Sequence, residues 1–410
     1  MLFNCIRGDD RSKSMCYHPS LQSILGEQIS AQPVPEKAAR QKLEANPWQA
    51  EPSCREVLLL TTFTYLMFAA VILTSTSFTD LVDKFGDSSA YMSVASALRR
   101  WSFDGIVVKQ FWGLPYLMAA VSFLTGISDR TSLLLVSLLS SLLSVVLAYR
   151  LWGGWVAGFF VVLNFDWMQR SLLGGSEPLF MALLLGAFLS IRRERWLIAA
   201  LLASLATVVR PLGLFALIGV GLTLLRKQDF RKLTYAVLIG LVIGALYVLP
   251  LAQHFGDPLA NVSRYQITDW DGSFPFTWPF LAFVYQGGLQ RAPWTNLALT
   301  FGWISFAVLG SVAMIGTERF RNYGRTHLAE ILFAAPYLAF LFMYNSSFWA
   351  RSNFPRFVIP VIPFVLFALD KWIPKDRRLM WSLGLGVSVL AASSALGIRN
   401  IMSLLHKTVG

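Results

Sequence analysis

The chain has 410 residues, of which 55% are hydrophobic and only 14% charged, and its mean hydropathy is +0.55. A water-soluble domain of this length has too little interior to hide so much apolar surface, so the chain reads as a membrane protein. The net charge of +12 sits largely in short Lys and Arg clusters between apolar runs, without a basic stripe interleaved with aromatics, which argues against a nucleic-acid partner.

In chain order, residues 1–56 come first. They read as a polar, partly disordered cytoplasmic tail, with Gln, Ala, Pro and Glu dominant over 27–52. All three cysteines, Cys5, Cys16 and Cys54, fall there, which leaves the membrane part without a disulfide framework or a Cys-based metal site. Neither a lipoprotein signal at Cys5 nor a cleavable leader is expected, and Val57 to Phe78 is long enough to stay as an anchor.

Residues 57–410 are expected to form one domain. Apolar stretches over 57–78, 131–150, 154–168, 177–191, 196–210, 212–225, 233–252, 297–316, 330–346, 355–370 and 380–397 predict an all-α, polytopic transmembrane helix bundle of about eleven spans. Gly113 to Gly126 is apolar but short, and is expected to re-enter or lie in the interface. The clusters Arg192/Arg193/Arg195, Arg226/Lys227/Arg231/Lys232, Arg319/Arg321/Arg325 and Lys371/Lys375/Arg377/Arg378 then share the tail's side, taken as cytoplasmic because Lys and Arg in short loops set orientation. The opposite, external side receives 79–130, the turn at Gly174 to Pro178, the long loop 253–296 and the segment 345–356.

The first external loop carries Asp80, Asp83 and Asp87, followed by Tyr91, Val94, Ala95 and Leu98 at helical spacing. This is an amphipathic helix with Asp87 at its start. Asp87 is either a cap for free N–H groups or a carboxylate placed to take a proton from an acceptor hydroxyl. Glu177 opens a helix, where a carboxylate is favourable for structural and functional reasons alike. Arg210 ends an uncharged stretch and precedes a helix-breaking Pro211; it either snorkels to head groups or grips a phosphate. Arg351 and Arg356 flank Pro355 before a late helix, where Arg356 is either an interfacial anchor or a phosphate ligand. Asp257, Tyr265, Asp269, Trp270, Asp271, Trp278, Tyr285, Arg291 and Trp294 in the long loop suit sugar stacking and hydroxyl binding, but also an interfacial belt. Asn261 and Asn345 stand in glycosylation sequons that matter only in a secretory pathway.

These residues carry a resemblance. An acidic residue after the first helix, an amphipathic helix with Tyr91, and Pro115-Tyr116 in a membrane-hugging segment resemble the GT-C superfamily of polytopic glycosyltransferases. Ser176-Glu177-Pro178-Leu179-Phe180, the basic turn Arg192–Arg195 and Arg210-Pro211 before Gly213 look like the branch that adds mannose to glycosylphosphatidylinositol precursors. Members usually place a second acidic residue directly after the first, where this chain has Ser88; the second carboxylate is then Asp83, Glu177 or absent. The resemblance implies an inverting transferase that moves a sugar, such as mannose, from a polyprenyl-phosphate donor to a lipid or glycan acceptor outside the membrane. Asp87 and Glu177 would be catalytic; Arg356, Arg351, Arg210, Tyr91 and Asp83 would bind substrate. The motifs fix no cofactor, and a divalent ion, magnesium or manganese, held by Asp87 and Glu177 stays open, since carboxylates from two loops suit it. The expected site is a bacterial plasma membrane, or the endoplasmic reticulum membrane in a eukaryote, in contact with membrane lipids. A transporter or flippase of a lipid-linked saccharide is the alternative, and would place ionisable residues near mid-membrane.

Overall fold

A computed structural model describes residues 47–85, 87–106, 109–268, 274–284, 294–346 and 353–409; the side chains of residues 47, 265–268, 284, 294–299 and 401–409 are not described. The chain divides into residues 1–50 and 51–410. Of the first unit, a 3-10 turn at Pro47–Gln49 is described. The expected boundary at residue 56 moves earlier, because the first helix, α1 (Cys54–Leu73), already starts on a capping box between Ser53 and Glu56.

The second unit is an all-helical membrane bundle, with an isolated bridge from Phe276 to Tyr344 and no named strand among the described residues. After α1 come α2 (Phe78–Lys84), α3 (Ser88–Arg100), α4 (Gly113–Thr125) and α5 (Asp129–Trp152). Next are α6 (Gly154–Leu163), α7 (Phe165–Leu173), α8 (Ser176–Arg192), α9 (Trp196–Val209), α10 (Leu214–Arg226) and α11 (Phe230–Phe255). The rest are α12 (Ala260–Thr268), α13 (Leu281–Val284), α14 (Trp294–Gly316), α15 (Glu318–Thr326), α16 (Leu328–Met343), α17 (Phe354–Phe357), α18 (Ile362–Ala368) and α19 (Arg377–Val409).

Each expected apolar stretch coincides with helix, but not each with a single span. Four helices, α1, α5, α11 and α19, are long and apolar enough to cross a membrane alone; counting bent pairs raises this to six among the described residues. The stretch 154–168 breaks at Asn164, whose extended backbone ends α6 and whose side chain caps α7. The stretch 355–370 breaks into α17, a 3-10 turn at Ile359–Val361, and α18, because Pro355, Pro360 and Pro363 each lack a helical donor. Helices α7 and α8 meet at 104°, around Gly174 at φ +93°.

The two ends of the bundle differ. At the basic end, Arg192 donates to buried Glu330 and to the Leu151 carbonyl, while Tyr323 joins Trp152 on α5 to Arg192 on α8. Arg377 pairs with Glu56 at the start of α1, which puts that start at the basic end as well. At the other end, Asp129 at the start of α5 pairs with Arg99 of α3 at 2.6 Å. Gly113 meets the backbone of Val208 and Val209 at the end of α9, where a Cβ would lie 2.6 Å from a main-chain nitrogen. Both ends of α4 therefore lie at this second end of the bundle. Helix α11 buries only Ala236 and Leu251, and exposes Leu241, Leu246 and Leu249, as a lipid-facing helix does.

Candidate active site

Polar packing inside the bundle builds the second end. Helix α5 carries a stripe of buried serines, Ser137, Ser140, Ser141 and Ser144. Small residues of this kind let helices approach closely and bond across. Ser137 exchanges hydrogen bonds with the Gly175 main chain at 3.3 Å, and Ser144 donates to the Pro178 carbonyl at 3.2 Å. The start of α8, with Glu177 in its first turn, is thereby held against α5. Ser88 on α3 donates to the Leu173 carbonyl at 3.0 Å, and Tyr91 to the Ser176 hydroxyl at 3.2 Å. These bonds bring the start of α3 to the same turn.

Arg210 caps α9 in extended conformation, its N–H donating to the Ala206 carbonyl, and Pro211 starts a new 3-10 turn. Arg356 is placed from two sides. Asn164 donates to the Pro355 carbonyl at 2.7 Å, and Tyr337 to the Phe357 carbonyl at 2.9 Å.

The outcome is a charged cluster under a cavity of about 290 Å³ lined by Asp87, Tyr91, Ser176, Arg210, Tyr337 and Arg356 among others. Glu177 is fully buried beneath it and accepts hydrogen bonds from both Arg210 and Arg356. Arg356 also reaches Asp87, with Nη1 3.0 Å from Oδ2. Asp87 is 31% exposed, Arg356 only 11%. Burial alone would push the Asp87 carboxyl up, but the Arg356 and Arg170 guanidiniums outweigh it and hold it below its ordinary value. Burial, with the Asp87 charge adding to it, pushes the Tyr91 hydroxyl up to about 12, so it stays a neutral donor.

Several expectations change in detail. Asp87 stands at the N-cap of α3 but makes no capping hydrogen bond; its carboxylate is turned to Arg356 instead. Asp83 does not line the cavity; Arg130 donates to it at 3.0 Å from Nε, in a pair about 40% exposed that contributes little energy. Helix α17, which contains Pro355, is only four residues long, too short to build a helix-terminal anion site, so any grip on phosphate there falls to the Arg356 fork. Between Asp87 and Glu177, the two carboxylates that would suit magnesium or manganese, lies the Arg356 guanidinium; no group of three His, Cys, Asp or Glu able to hold a metal occurs among the described residues. The arrangement does not fit an ion shared by these two carboxylates.

Arg351, Asp269, Trp270, Asp271, Tyr285 and Arg291 lie outside the described residues, as do the side chains of Tyr265 and Trp294. Trp278 is 80% exposed, and Asp257 is engaged locally by Leu259 N–H and Ser263. Asn261 is buried between Tyr247 and the Gln110 carbonyl, which closes that sequon to modification. Asn345 donates to the Phe274 carbonyl.

Two ionisable residues at the cluster escaped sequence reasoning. Asp166 and Arg170 stand four apart on α7, and Arg170 is only 6% exposed. The available signal was an ionisable pair at helical spacing within apolar sequence, which in a membrane protein marks a site. Ending the span at residue 168 separated the two.

No protein-family model matches this chain, and no curated protein matches it. Solved structures of ArnT from Cupriavidus metallidurans do. The form bound to undecaprenyl phosphate is 17% identical, with a TM-score of 0.48 over 80% of this chain and 62% of that one. The apo form is also 17% identical, with a TM-score of 0.40 over 82% of this chain and 76% of that one. This chain thus spans less than two thirds of the first structure's length.

Proposed function

We propose that the chain is a GT-C-like glycosyltransferase that moves a sugar, with mannose as the candidate, from a polyprenyl-phosphate donor to a lipid or glycan hydroxyl on the external face of its membrane. The observation that carries this reading is the shared guanidinium. Arg356 joins a cavity-facing carboxylate, Asp87, to a buried one, Glu177. This pairing at one cavity supports roles for Asp87 as base and Arg356 as phosphate ligand.

In this mechanism Asp87 takes the proton of the acceptor hydroxyl, whose oxygen attacks the anomeric carbon from the face opposite the phosphate. The C–O bond to the phosphate breaks, and its electron pair leaves on the phosphate oxygen. Arg356 and Arg210, both largely buried, stabilise that growing charge as donors already aimed at it. Before the donor binds, Glu177 holds both arginines in position. A second cavity of about 610 Å³, lined by apolar residues of α4, α8, α9 and α11, shares Val209 with the first. Its chemistry suits the prenyl chain of the donor.

The test is reconstitution. Purified protein in liposomes is given a polyprenyl-phosphate donor with labelled sugar and a lipid extract as acceptor. Transfer to a new product with release of polyprenyl phosphate supports the reading. Movement of intact donor between leaflets without bond cleavage would favour a flippase and overturn it.

A further inference from the structure

Arg170 is a charged group for which the mechanism above has no use. It is nine-tenths buried, and its Nε and Nη1 have no hydrogen-bond partner among the described residues. Its guanidinium lies 4.8 Å over the Phe85 ring. Glu177 has a matching gap: Oε1 serves Arg210 and Arg356, while Oε2 is buried without a partner among the described residues. Unmade hydrogen bonds on buried charged groups are costly, so two such gaps close together need a reason.

They are close together. A Cβ on Gly175 would lie 2.7 Å from the Arg170 Cδ and 2.8 Å from the Glu177 Oε2, so the two side chains converge on one point that only glycine leaves open. Asp166, one turn before Arg170 on α7, adds a second carboxylate beside the guanidinium.

We propose that Arg170 is a reserve cation for Glu177, taking up the Oε2 carboxylate oxygen when a bound phosphate draws Arg356 and Arg210 away from Oε1. This rests on the transferase reading. Glu177 is fully buried, and losing its two cations to the donor would leave an unpaired charge in a dry site. Arg170 removes that obstacle by a rotation of its own side chain. It is a positioning residue: it acts through Glu177 on the arginines that touch phosphate.

The experiment measures binding of polyprenyl phosphate, the carrier without sugar, to purified full-length protein in lipid nanodiscs. The proteins are wild type, Arg170→Met, Arg170→Lys, Glu177→Gln and the double variant Arg170→Met/Glu177→Gln, each with its melting temperature in the absence of lipid phosphate. Arg170→Met is expected to weaken binding by about tenfold in the wild-type background, but by less than about twofold in the Glu177→Gln background, because the demand for a cation is then gone. Arg170→Lys, which keeps the charge, is expected to restore most of the affinity. Should Arg170→Met not fold, Arg170→Gln against Arg170→Lys makes the same comparison. Equal weakening in the wild-type and Glu177→Gln backgrounds would mean a merely structural role and overturn the proposal, as would no weakening at all. Failure of the wild type to bind polyprenyl phosphate would instead overturn the transferase reading, and this proposal with it.

Discussion

Arg356 Nη1 lies 3.0 Å from Asp87 Oδ2, so the group proposed to hold the leaving phosphate also holds down the basicity of the proposed base. The two roles are linked. When phosphate takes the guanidinium, Asp87 loses part of the attraction that favours its charged form, and burial then makes it a stronger base.

A pH dependence follows. In the free protein the Asp87 carboxyl is held below its ordinary value, so the charged, active form is present at neutral pH and is lost only as pH falls through that lowered value. In the donor complex the value rises. The acid limb of kcat is therefore expected at higher pH than the acid limb of kcat/KM. Pre-steady-state and steady-state rates over an acid pH series check this; coincident limbs would separate Arg356 from the base.

Asp87→Asn keeps the shape and removes the proton acceptor. It is expected to lower turnover by about a hundredfold or more. The melting temperature should hold, because Asp87 makes no capping bond that α3 depends on. Near-normal turnover would remove Asp87 from the chemistry.

Much of this site was legible in the sequence because charge is rare in the chain. Asp87, Glu177, Arg210 and Arg356 stood out as isolated charges at apolar helix ends, and they meet at one cavity floor. Asp83 stood out equally, yet it pairs with Arg130; spacing gives no hint of which cation a loop carboxylate finds. Arg170 was not legible because hydropathy places a boundary by average. It did not register that Asn164 breaks the helix and starts a new one carrying Asp166 and Arg170 on one face. The internal breaks at Asn164 and at the three late prolines also escaped a reading based on the length of apolar runs.

The basic end offers a stability test. Glu330 is 1% exposed and receives two hydrogen bonds from Arg192. Arg192→Met would leave that carboxylate buried without its cation, which typically costs about 3–5 kcal/mol. Thermal unfolding in detergent is expected to show a clear loss of stability, with the active-site cavity unaffected in the folded fraction. Replacing both residues by apolar ones of similar volume should recover most of the loss; no recovery would mean that the pair acts otherwise.

The fold places both ends of α4 at the site end of the bundle. Single cysteines at Ser102 and Ser128, which flank α4, in a background with Cys5, Cys16 and Cys54 changed to Ser, are expected to react with an impermeant label from the same side of the membrane. Labelling from opposite sides would mean that α4 crosses.

The most direct measurement of the central claim is turnover of a polyprenyl-phosphate sugar by purified wild type and Arg356→Lys in the same lipid. Lys keeps the charge but not the planar fork that spans Asp87 and Glu177. Loss of one such donor typically costs about 2.7 to 4 kcal/mol in the transition state, or about a hundredfold or more in rate. The expected result is that loss, with labelled sugar transferred by the wild type. Equal rates for the two proteins would contradict the account, because an interfacial anchor tolerates lysine and a phosphate-gripping guanidinium does not.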